Sequence, residues 1–196
     1  QRFSFSDRLL SRQTISSKDF GYYKDISSLS DQNPYNGNVF AEEVTDWAID
    51  IGRTESLNRF VVHYMQPHAP YLGRAVGDKN ITNLDHHEKS PFDALRNGSE
   101  YKQVWNAYLK NLRYVLDNVE LLLKNYDAER VVITADHGEL FGEFGLYSHG
   151  AGIVHPALRQ VPWITTEATD KEAYQPDPTP LSEEPTSIES RLKDLG

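Results

Sequence analysis

Apolar positions along the chain fall into two patterns. Trp105, Tyr108, Leu109, Leu112, Val115, Leu116, Val119, Leu122 and Leu123 recur at steps of three and four. That spacing predicts an amphipathic helix over residues 101–125, with one stripe against a core. Arg59–Met65 and Arg130–Thr134 are instead short, almost wholly apolar runs rich in β-branched and aromatic residues. Such runs predict strands buried on both faces, as in a parallel sheet. Strand, crossover helix and strand make the βαβ pattern. The expected fold class is therefore α/β, a mainly parallel sheet flanked by helices, with residues 60–65 and 131–135 as neighbouring or near-neighbouring parallel strands.

Weaker patterns surround this unit. Val161–Thr165 predicts a third strand, which Pro162 starts or confines to an edge. A short helix is expected around Val39–Ile51, after turn signals at Asn33-Pro34 and Asn36-Gly37. Residues 78–100 are polar and predict a long surface insertion. From Glu167 to Pro185 the chain is acidic and Pro-rich, predicting an extended or disordered tail, with a last helical turn or two over Ser187–Leu195. The organisation expected is a partial α/β domain over residues 1–166 and a tail over residues 167–196.

Composition narrows the function classes. The 196 residues include 38% hydrophobic and 25% charged side chains, a balance suited to one soluble domain. Twenty-nine acids against 20 bases give a net charge of −9, which repels nucleic acid rather than attracting it. No cysteine is present, so disulfides and thiolate metal sites are excluded for these residues. No apolar run approaches the length of a membrane span and none resembles a signal peptide. A cytoplasmic location is the expectation.

The chemistry-bearing residues lie just past the predicted strands, where open α/β sheets bind ligands. Thr134-Ala135-Asp136-His137-Gly138-Glu139 follows the second strand, with Gly138 permitting a sharp turn. A carboxylate oxygen beside an imidazole nitrogen is a usual partial ligand set for a divalent metal, although an isolated Asp136 can equally cap a turn. His68 follows the first strand between Pro67 and Pro70, on a stiff loop where it can contact an anion or donate a proton, or simply face solvent. His149 sits in a Gly-rich loop within Ser148-His149-Gly150. His155-Pro156 reads as structural, and His86-His87-Glu88 as a solvated loop, since consecutive side chains seldom converge on one ion. No phosphate-binding glycine loop, Gly-x-Ser-x-Gly elbow or dinucleotide fingerprint occurs.

Taken in order, His-x-Pro after one strand, the long helix, strand–Thr-Ala-Asp-His-Gly-Glu, the Ser-His-Gly loop and Arg159-Gln160-Val161-Pro162-Trp163-Ile164 resemble the sulfatase-like branch of the alkaline phosphatase superfamily. The resemblance spans residues 59–165 and the closing Arg191–Gly196. Val61–Tyr71 with Val131–Leu140 is similar to haloarchaeal sulfatase-like proteins. The resemblance implies one divalent metal (Ca, Mg, Mn or Zn) ligated by Asp136 and His137. It implies catalytic, substrate-binding roles for His68 and His149 on the sulfate or phosphate oxygens, and a non-ligating place for Glu139. The partner implied is a small-molecule or glycan ester.

The family's nucleophile and further Asp ligands find no match: there is no Cys, no Ser/Thr-x-Pro-x-Arg and no Asp-Asp pair. The expectation is a C-terminal portion whose N-terminal part is missing. Metal-dependent ester hydrolysis is the function expected of the complete protein. A phosphoryl-group transferase acting on a glycan or lipid, and a non-catalytic anion-binding relative, stand as alternatives.

Overall fold

The computed structural model describes residues 17–32, 39–69, 71 and 91–181. Its helices are α1 (Ala41–Thr54), α2 (Pro91–Arg96), α3 (Tyr101–Leu123) and α4 (Pro156–Arg159). Its strands are β1 (Ala128–Thr134), β2 (Leu140–Phe141), β3 (Tyr147–Ser148) and β4 (Trp163–Ala168). The turn signals at residues 33–37, the His86-His87-Glu88 cluster and the helical turn expected over Ser187–Leu195 lie outside the described residues. None of the described helices is long and apolar enough to cross a membrane.

The long helix forms where its periodicity places it, and it organises the molecule. Its fully buried positions are Val104, Ala107, Asn111, Tyr114, Val115 and Asn118. This face is rotated from the purely apolar stripe, and Leu116 is 44% exposed. The rotation follows from polar groups on α3 that find partners inside. The Tyr114 hydroxyl accepts from the Ala41 N–H at 3.0 Å and contacts the Glu42 carboxylate. The Thr45 hydroxyl lies 2.9 Å from the Tyr64 hydroxyl and 3.4 Å from Asn118 Oδ1. These bonds dock α1 on α3 and satisfy groups that would be costly to bury alone. Further along α3, Trp105 and Tyr108 meet Phe141 edge-on, each with centroids 5.1 Å from it, over a cluster with Tyr71 and Phe92. Phe92 belongs to α2, so part of the expected polar insertion is a short helix with a buried face.

The sheet differs from expectation. β1 pairs with β4 antiparallel, in register from Val131↔Thr166 to Thr134↔Trp163. β2 and β3 form a second antiparallel ladder, and no parallel pair occurs among the described residues. The predicted strand over residues 60–65 is extended but has no ladder partner there. Side chains position it instead: Phe60 packs on Tyr126 with ring centroids 5.7 Å apart, and Val62 and Tyr64 pack on the α1 clusters. Its burial has period two and covers one face only, leaving Val61 82% exposed. Trp163 and Ile164 on β4 are also exposed.

Beyond β4 the chain runs back across α1. Arg53 forks onto Asp170 with contacts of 2.7 and 2.8 Å and donates to the Tyr174 carbonyl at 2.9 Å. The Tyr174 hydroxyl donates to Asp46, Thr179 donates to Glu43, and Leu181 joins the cluster around Leu29 and Val44. Residues 169–181 are thus an extended, anchored strap.

Candidate metal and anion site

Three segments meet at the carboxyl end of β1. The first is the loop after residues 60–65. Its turn is closed by His68 N–H donating to Met65 O at 3.0 Å. Asn111, 1% exposed on α3, donates to the His68 carbonyl at 3.2 Å and ties the loop to the long helix.

The second segment is Asp136-His137-Gly138-Glu139. Asp136 Oδ1 accepts from the His137 N–H at 3.0 Å, which leaves Oδ2 turned outward. Gly138 acts by close approach rather than by an unusual turn. It is absent from the residues with positive φ, and a Cβ there would lie 1.9 Å from the Ala157 carbonyl oxygen. Its N–H donates to Leu158 O at 3.0 Å, so the motif is bolted to α4. His155 starts that helix by accepting from the Ala157 N–H at 3.1 Å, a structural role.

The third segment follows β3. Ser148 takes a left-handed φ of 68°, unusual for a residue with a Cβ, and the next residue is His149. The His149 ring lies 4.1 Å from that of His137 and 5.4 Å from that of His68, centroid to centroid. His149 Nδ1 lies 3.0 and 3.1 Å from the two Glu139 oxygens.

All three histidines carry the same tautomeric signature. His68 Nδ1 contacts the Ala69 carbonyl, His137 Nδ1 the Gly138 carbonyl at 2.8 Å, and His149 Nδ1 a carboxylate. Each partner is an acceptor, so each Nδ1 carries the hydrogen and each Nε2 is left for a ligand. A surface pocket opens beside them, lined by Asp136, His137, His149, residues 150–153, Leu158 and Arg159. His68 is not among its lining residues; its ring neighbours that of His149.

Asp136 and His137 suit a metal as part of a ligand set. Asp136 Oδ2 lies 3.6 Å from His137 Nε2. Two ligands at that separation, each about 2.1 Å from an ion, would subtend roughly 118°, close to tetrahedral. No group of three His, Asp or Glu side chains that could hold a metal occurs among the described residues.

In the sequence, Glu139 stands out only through its place in the motif. Its side chain is only 10% exposed, with His149 as its partner. Tyr71 and Tyr108 pack close by, and their hydroxyls are pushed up, that of Tyr71 well above the usual tyrosine range, first by burial and then by the Glu139 charge. The signal available in sequence was a carboxylate directly before the buried pair Leu140-Phe141, since a carboxylate is seldom buried without a partner.

The Sulfatase family model matches residues 5–186 of the chain. No curated protein and no solved structure matches it. With its motif order, its strand-end site and a match over most of its length, the chain belongs to the sulfatase family, of the α/β alkaline phosphatase superfamily.

Proposed function

We propose that Asp136, His137, His149 and His68 form part of the site of a metal-dependent hydrolase of sulfate or phosphate esters. The observation that carries this reading is the set of three adjacent imidazoles, each with Nδ1 engaged and Nε2 free, beside the outward Oδ2 of Asp136.

Asp136 Oδ2 and His137 Nε2 hold the divalent ion on this reading. When bound, it lowers the pKa of a nucleophile and polarises the ester oxygen. His149, fixed by Glu139, presents Nε2 to the oxygens of the transferring group and to the leaving oxygen, where charge develops. His68, its ring beside that of His149, contacts the same oxygens on this reading. Glu139 touches neither ester nor metal; it sets the tautomer and orientation of His149. No nucleophile and no third metal ligand are assigned among the described residues of this site.

The test is turnover of aryl sulfate and aryl phosphate esters by the full native protein, with and without a chelator. Chelator-sensitive release of the alcohol, restored by divalent metal, is expected. Release that ignores the chelator, or no release of either ester at any metal, refutes the proposal.

A further inference from the structure

The pocket beside Asp136 holds a cation that the proposed mechanism does not use. Arg159 is the only Arg or Lys among its lining residues. The side chain is exposed, and no hydrogen bond or ion pair engages it among the described residues. Its backbone is nonetheless held firmly. The Gly138 N–H to Leu158 O bond joins the two segments, so His137 and Arg159 directly flank one cross-link. Gln160 N–H closes the helix on Pro156 O at 2.8 Å immediately afterwards. The missing Cβ of Gly138 lets the segments approach this closely. Arg159 thus lines the pocket together with Asp136, His137 and His149, with no partner for its side chain among the described residues.

Such an arrangement suits a tetrahedral oxyanion. A guanidinium presents parallel N–H donors that match two oxygens of phosphate or sulfate, and no carboxylate is paired with this one among the described residues. The chain's net charge of −9 gives an anion little general attraction, so a local clamp has a task to perform. We propose that Arg159 is an anion-binding residue of this pocket, gripping the oxyanion of the ester. The inference rests on the reading of the pocket as an ester-cleaving site, but its test does not.

Calorimetric titration with inorganic phosphate, and separately with inorganic sulfate, compares wild type with Arg159→Ala, Arg159→Lys and Arg113→Ala. Arg113 is exposed on α3 and serves as a control for the loss of one positive charge. Arg159→Ala is expected to weaken binding by roughly 10- to 100-fold, as for one charge-assisted hydrogen-bonded contact. Arg159→Lys should fall between it and wild type, and Arg113→Ala should stay within about two-fold, as expected of a distant exposed charge. Loss for one anion only supports the inference and names that anion. Divalent-metal affinity should be unchanged in Arg159→Ala, and ester turnover should show a raised KM. Arg159→Ala binding as wild type does, Arg113→Ala weakening equally, or no anion binding by wild type would overturn it. Anion binding through Arg159 without ester turnover would instead overturn the hydrolase reading alone.

Discussion

Replacing Gly138 with alanine should damage both stability and the site, and the structure sets the size of the effect. The new Cβ would lie 1.9 Å from the Ala157 carbonyl oxygen and 3.0 Å from its carbon. Both are backbone atoms of α4, so no side chain can swing away. Reaching an ordinary contact requires movement of roughly 1.5 Å. That movement breaks the 3.0 Å bond from the Gly138 N–H to Leu158 O. Overpacking and the lost bond together should cost roughly 2–4 kcal/mol. Displacing His137 by about 1 Å should lower turnover on the order of 10²-fold. Gly150→Ala is the control. Its Cβ would meet the end of the Ile153 side chain at 3.1 Å, and that side chain can shift. Urea unfolding of both variants gives the stability change, and metal titration reports the site. Equal unfolding midpoints and equal metal affinities for the two variants would refute the close-approach account of Gly138.

Three further outcomes follow from the same geometry. Glu139→Gln should leave divalent-metal affinity intact while lowering kcat by roughly 10- to 100-fold, as for other groups that orient a site residue; loss of metal affinity would place Glu139 among the ligands. Burial pushes the Tyr64 hydroxyl up to about 12, with its Thr45 hydrogen bond opposing. A raised folded-state value means this stability is present below pH 10 and lost as the pH climbs toward 12, on the order of 2–3 kcal/mol. Unfolding curves of Tyr64→Phe should lack that alkaline component, and a slope identical to wild type would contradict it. Arg53→Ala removes the fork onto Asp170 and the Tyr174 carbonyl contact, so limited proteolysis should cut residues 169–181 first, with a stability loss of about 1 kcal/mol; a cleavage pattern like wild type would show that the strap holds without it.

The parts of the fold set by local periodicity were legible in the sequence. The spacing from Trp105 to Leu123 and the Arg130–Thr134 run both mark real elements. Strand pairing was not legible, because a short apolar run records burial and not direction. Val131-Val132-Ile133 suits either a parallel sheet or the antiparallel ladder it makes with β4. The run over residues 60–65 misled for a related reason, since all its side chains are of strand type yet only alternate ones face inward. In the site, His68, Asp136, His137 and His149 stood out by residue type and by position after a strand. The contacts of Glu139 and the place of Arg159 depend on where α4 and the β2–β3 ladder bring the chain, and no local pattern encodes that. Gly138 matters for its lack of bulk rather than for the conformational freedom its type suggests in sequence.

The central claim is that one pocket divides its labour, Asp136 and His137 toward a metal and His149 toward the ester. Calorimetric metal titration of Asp136→Asn, His137→Ala and His149→Ala beside wild type, each as the full native protein, tests it most directly, with turnover read on the same samples. Weakened metal binding is expected in the first two variants, and near wild-type metal binding with turnover down on the order of 10²–10³-fold in the third. Equal metal affinity in all four proteins, or full turnover by His149→Ala, would contradict it.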